Sequence, residues 1–166
     1  MPSPTPQDVA TFRRVAGRFA TGVCVITALD GGADHAMTAS AFTTVSLEPM
    51  LVLVCVETEA RFHDAVVAAG QWAVSILDET ARGVSEWLAT RGRPLPGQLD
   101  RVPLHRGPVT GAALVDSALG WLEVRTTAVH PGGDHSIVVG EVVGLELGPS
   151  LAEPLLYFRS GYHKLA

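Results

Sequence analysis

The sequence predicts a mainly β protein, an antiparallel barrel with peripheral helices folded as one domain. Three observations carry that prediction. Apolar, strand-like runs follow one another through short turns rich in Gly, Pro and Asp. Helical periodicity is confined to three segments, and no strand–helix–strand rhythm connects them. No repeat or second domain divides the 166 residues, a length that suits a single core.

Residues 1–7 read as a disordered lead, with the domain running from 8 to 166. Asp8 is placed to cap a helix on which Phe12, Val15, Ala16 and Phe19 fall at i, i+3, i+4 and i+7, with Gly22 ending it. Val23 to Leu29 reads as a strand, and Asp30-Gly31-Gly32 as a hairpin turn. His35 to Ser46 and Met50 to Val56 are the next two strands, separated by Leu47-Glu48-Pro49. Thr58 then caps a helix through Ala69, closed by Gly70. Trp72 to Leu77 is a short buried strand, and Asp78 caps a helix carrying Val84, Trp87 and Leu88. The Pro and Gly density of Thr90 to Gly111 marks a long loop, of the kind that is functional or mobile. Leu119 to His130 and His135 to Leu147 form a hairpin through Pro131-Gly132-Gly133-Asp134, and Pro154 to Phe158 supplies the last strand.

Composition narrows the function. A hydrophobic share of 47% supports a real core, while only 17% of residues are charged. So little charge points to apolar surface buried against another subunit. The net charge of −5 and the absence of a basic run speak against nucleic acid. A single lysine, Lys164, excludes a Walker A loop and argues against a Schiff-base lysine. Cys24 and Cys55 sit in apolar runs without metal-ligand spacing, as reduced thiols of a cytosolic protein do. The N-terminus lacks the apolar core of a signal peptide, and no apolar stretch is long enough to span a bilayer. The expectation is a soluble cytoplasmic protein with no metal site. G-x-G-x-x-G, G-x-S-x-G and H-E-x-x-H are all missing, which suits a protein whose ligand carries the chemistry.

The segment from Ala36 to Val56 is the most unusual. Thr38, Ser40, Thr43, Thr44 and Ser46 put hydroxyls on both parities of a strand, ahead of a wholly apolar run. Either β-propensity selects them for an edge strand, or a flat, polar-edged ligand covers the surface. Four stretches occur in order: A-T-G-V-C-V-I-T from Ala20, M-T-A-S-A-F-T-T-V-S-L-E-P-M-L-V-L-V-C-V from Met37, G-D-H-S-I-V-V-G-E-V from Gly133 and P-L-L-Y-F-R-S-G-Y from Pro154. Together they resemble the short-chain flavin reductases, over roughly Val9 to Leu165.

That resemblance implies an antiparallel split β-barrel of the FMN-binding type. It also implies hydride transfer from NADH or NADPH to FMN or FAD, and delivery of the reduced flavin to a separate monooxygenase. A homodimer with flavin near the subunit interface is part of the same expectation. By the family's usual pose, Thr38, Ala39 and Ser40 meet the ring edge and ribityl chain, while Val54, Cys55 and Val56 line the adjacent strand. Ala60 and Arg61 lie where a helix N-terminus would hold the phosphate, although many relatives carry a hydroxyl at the position of Ala60. Arg61 equally reads as a surface arginine paired with Glu59 or Asp64. Gly133, Asp134 and His135 sit beside the flavin in the family, with His135 close to the nicotinamide as the catalytic candidate; by themselves they read as a turn. Tyr162 packs either over a ring or in the core. A non-catalytic flavin- or haem-binding barrel, and an oxidase of a pyridoxal-type vitamer, are the other readings.

Overall fold

Several strand pairs in this chain are joined by turns short enough to force antiparallel ladders, and they assemble into one large curled sheet. The computed structural model describes residues 3–149 and 151–165. Helix α1 (Pro6–Ala16) and the short β1 (Thr21–Gly22) lead into β2 (Cys24–Asp30), β3 (Ala33–Ala39), β4 (Phe42–Leu47) and β5 (Met50–Glu57). Helix α2 (Arg61–Ala69) and β6 (Gln71–Leu77) follow, then a 3-10 turn at Glu79–Ala81 and α3 (Arg82–Ala89). The remainder is β7 (Leu104–Arg106), β8 (Ala113–Val115), β9 (Ala118–Gly132), β10 (His135–Leu147), β11 (Leu156–Phe158) and β12 (Gly161–His163).

The main sheet has the order β3-β2-β6-β9-β10-β5-β4, every pair antiparallel. Its two outermost strands, β3 and β4, are neighbours in sequence, joined only by Ser40 and Ala41. Two residues reach only a few ångströms, so the sheet must curl until its edges meet at that link, leaving a barrel split along the seam. The predicted single strand from His35 to Ser46 is therefore two strands that belong to opposite edges. The hydroxyls gave no sign of the break, because Ser40-Ala41 contains neither Gly nor Pro.

Strand alternation distributes the core. On β2, Cys24, Ile26 and Ala28 join one cluster, with Val54 and Val56 of β5, Trp72, Val124 and Val138, and Phe62 and Val66 from α2. The opposite parity, Val23 and Val25, joins a second cluster with Leu77, Leu88 of α3, Leu99, Val102 and Val115. Strand β2 is thus buried on both faces, as its unbroken apolar run requires.

Helix starts differ from the sequence reading, for local reasons. Thr5 caps α1, and Asp8 is the third residue of a capping box: Asp8 donates its N–H to Thr5 Oγ1 at 3.2 Å and accepts the Thr5 N–H at 2.9 Å. Pro6 at the first helical position pre-sets the entry. The helix closes at Gly17, not Gly22, and none of its residues is buried: Phe12, Val15 and nearby Phe19 are 71%, 64% and 78% exposed. Met1 and Pro2 of the predicted lead lie outside the described residues. Helix α2 starts from Ala60 rather than Thr58, because the Thr58 N–H and hydroxyl both donate to the Asp134 carbonyl, at 3.0 and 3.1 Å.

Candidate active site

Between the seam of the barrel and the irregular segment after α3 lies a cavity of about 520 Å³. Strand β3 supplies His35, Met37 and Thr38, and β5 supplies Cys55 and Glu57. Ala60, Arg61 and Phe62 bring the N-terminus of α2 to it, and His135 closes the end beside β5. The facing wall is the segment from Thr90 to Gln98, including Arg91, Gly92 and Arg93.

The candidate residues divide by strand parity and partner. Val54 and Val56 are fully buried in the core, so only Cys55 of that trio turns its side chain to the cavity, where it is half-buried. Ala39 also packs in the core, and Ser40 lies exposed in the link between β3 and β4. Thr38 lines the cavity, but its hydroxyl donates to the Ser85 carbonyl of α3 at 2.7 Å. Tyr162 is not on the cavity wall. It packs against the second core cluster, its ring beneath Arg82 and edge-on to Tyr157, with its hydroxyl 2.8 Å from Ser85 Oγ.

At the hairpin tip, Gly133 has φ +76°, a left-handed conformation that favours glycine. This bends Asp134 back so that its carbonyl meets Thr58 and its carboxylate meets His135 Nδ1 at 2.7 Å. A carboxylate only accepts, so Nδ1 donates, and the Nε2 edge of the ring is left for a ligand. The hydrogen bond from His135, and next its charge, holds the exposed Asp134 carboxyl below its ordinary value. Across β5 and β10, His135 pairs with Glu57, whose carboxylate is bridged at 2.7 Å by Arg91 from the facing wall.

The cavity offers cationic groups and free N–H donors to an anionic ligand. Arg61 donates to the Arg93 carbonyl at 2.6 Å rather than to Glu59 or Asp64. Arg93 itself donates to the carbonyls of Ala36 and Thr90 and to the side-chain oxygen of Gln98. Both guanidiniums therefore rest on neutral acceptors beside the free N–H groups of the α2 N-terminus, which has no side-chain cap. His35 Nδ1, on the same wall, is buried without a partner. Sequence reasoning gave His35, Arg91, Arg93 and Gln98 no role; only the loop's Pro and Gly content pointed to that region. Of the two thiols, Cys24 is in the core, where burial pushes it up to about 12, while Cys55 is on the cavity wall. Among the described residues no group of three or more His, Cys, Asp or Glu side chains could hold a metal ion, and no helix is long and apolar enough to cross a membrane.

A curled antiparallel sheet with a cavity at its seam, where arginines and a helix N-terminus converge, defines a barrel able to hold an anionic ligand. The chain belongs to the flavin reductase like domain family, which it matches over residues 16–166. It is 42% identical over 154 residues to the reductase component of 4-hydroxyphenylacetate 3-monooxygenase from Thermus thermophilus, covering 93% of this chain and 95% of that protein. It is 37% identical to an NADH-dependent FAD reductase of Streptomyces globisporus, covering 97% and 88%. Among solved structures it resembles the flavin reductase component of a bacterial two-component tryptophan halogenase (40% identity, TM-score 0.89, 95% and 98% of the two chains). It also resembles the Streptomyces globisporus NADH:FAD oxidoreductase solved with NAD and FAD fragments (34% identity, TM-score 0.90, 100% and 98%).

Proposed function

We propose that this protein oxidises NADH or NADPH, reduces FMN or FAD in the seam cavity, and releases the reduced flavin to a separate monooxygenase. The observation that carries the reading is the cavity itself, in which a strand wall, two guanidiniums on neutral acceptors and an uncapped helix N-terminus converge. Relatives named as NADH-dependent flavin reductases, and as reductase components of monooxygenases, support it.

The bound ligands supply the hydride chemistry between nicotinamide and isoalloxazine. The chain's own residues bind and orient. Cys55, Thr38 and the backbone of Ala39, Ser40, Val54 and Val56 form the strand wall for the ring. Arg61 and the α2 N-terminus at Ala60 hold the phosphate. Gly133 and Asp134 fix the His135 ring, whose Nε2 edge would meet the nicotinamide when it is bound. Catalysis then comes from proximity and orientation, not from a side-chain acid or base. Tyr162 acts through Ser85, which accepts from Thr38 on the cavity wall and so supports that wall from behind.

The homodimer belongs to the same proposal. The exposed apolar side of α1 (Phe12, Val15) with nearby Phe19, and the exposed Val45 and Leu47 of β4, are faces for a second copy, consistent with the low charge fraction. A solution mass of the monomer alone would remove that part. The function is tested by following NADH and NADPH oxidation with and without added FMN, FAD or riboflavin. Flavin-dependent oxidation is expected; flavin binding without oxidation of either nucleotide would sink the reductase reading.

A further inference from the structure

Strand β3 is an edge of the sheet, so the carbonyls that point away from β2 have no strand partner. Asp34 and Ala36, two residues apart, present theirs on that same outer side. Both are taken by side chains from the segment Thr90 to Gln98: Arg93 donates to the Ala36 carbonyl, and Gln98 Nε2 to the Asp34 carbonyl at 2.7 Å. Arg93 also donates to the Thr90 carbonyl at 3.0 Å and to Gln98 Oε1 at 3.3 Å, tying one end of the segment to the other. Gln98 is 3% exposed, and its carbonyl accepts the Trp87 indole N–H at 2.8 Å. A stretch with no helix or strand of its own is thus strapped to the barrel edge through two side chains.

The strap ends at Arg61, which donates to the Arg93 carbonyl at 2.6 Å. We infer that Arg93 is a positioning residue: it pins the strap to β3 and, through its own carbonyl, aims the Arg61 guanidinium at the flavin phosphate. The inference rests on reading the cavity as the flavin site. Every nitrogen of the Arg93 head is already engaged with protein oxygens, so Arg61 is the one of the two left to meet an anion. Burial, and next the charge of Arg61, lowers the Arg93 pKa.

Riboflavin separates this role from a merely structural one, because it has the ring of FMN and no phosphate. In the wild-type protein KM should be lower for FMN than for riboflavin. Arg93→Ala should raise KM for FMN about tenfold, the loss of one charge-assisted hydrogen bond, and leave kcat and the riboflavin KM within about twofold. Arg61→Ala should do the same, and the double variant should add little, since the two residues act as a unit. If Arg93→Ala does not fold, Arg93→Lys, which keeps the charge but not the planar fork, carries the same comparison. Equal losses for FMN and riboflavin would overturn the inference and leave Arg93 as a structural clamp. An FMN-selective loss in Arg61→Ala with none at Arg93 would overturn it while the flavin cavity stands. A wild-type protein that binds neither flavin would overturn the reading of the cavity itself.

Discussion

On β5 the side chains alternate without exception, Val52, Val54 and Val56 into the core and Leu51, Leu53, Cys55 and Glu57 away from it. Across the cavity, the strap from Thr90 to Gln98 follows no period at all, and its shape comes from Arg93 and Gln98 bonding to carbonyls 57 and 64 residues away. One wall is held by buried apolar area, the other by directional hydrogen bonds at an exposed edge. Each property of the site has its own seat: the barrel wall fixes the shape of the cavity, and the strap holds in place the charge that Arg61 brings to it.

Breaking the two walls should therefore give different kinds of loss. The largest effect is expected in the barrel. Trp72 is fully buried in the cluster behind β5, and Trp72→Ala should lower the unfolding free energy by about 3–5 kcal/mol, measured by denaturant titration. Next comes the hairpin tip, where His135→Ala should raise KM for NAD(P)H by roughly 3–10-fold, the value of one hydrogen bond, and KM for FMN by less. An unchanged KM for both substrates would remove His135 from the nicotinamide site.

Smaller still is the pH response of Asp134. Its carboxyl is held below the ordinary 3.8, so its contact with His135 stabilises the fold above that value and is lost as pH falls through the lowered one. Asp134→Asn should therefore lower stability slightly above about pH 4, where the charged carboxylate makes the contact, and leave stability in stronger acid unchanged, read by denaturant titration across pH. The smallest change belongs to the strap's outer ion pair: Arg91→Gln should cost about 0–1 kcal/mol, because Arg91 is 84% exposed where it meets Glu57. A large loss of stability there would mean that the strap, too, is part of the core.

The contrast also explains what could be read from residue order. Apolar alternation and turn chemistry gave the strands of the main sheet, with β3 and β4 merged, the hairpin at Gly133-Asp134 and three helices, because each depends on neighbours in sequence; the short β1, β7, β8 and β12 were not read, and β7 lies inside the stretch from Thr90 to Gly111 that reads as a loop. The break at Ser40-Ala41 escaped because the two edges of a curled sheet meet there, and curling is a property of all seven strands. Asp8 and Thr58 were placed one role away from their actual ones, since a capping box with Thr5 and a hairpin 76 residues distant compete for their bonds. Thr38, Cys55, Ala60, Arg61 and His135 converge on one cavity, whereas Tyr162 turns to the core and Val54 and Val56 can offer only backbone. Arg93 and Gln98 had no signature, because an arginine in a Pro/Gly-rich loop looks the same whether it clamps a strand edge or faces water.

The most direct test of the flavin cavity is FMN binding, followed by quenching of flavin fluorescence, in a variant that plugs the barrel wall. Cys55→Trp places a large ring in the cavity and leaves the core face of β5 as it is, and Thr38→Phe does so from β3 with loss of the bond to the Ser85 carbonyl. Both variants should keep the wild-type circular dichroism and lose FMN binding. Unaltered FMN affinity in folded Cys55→Trp and Thr38→Phe proteins would contradict the account.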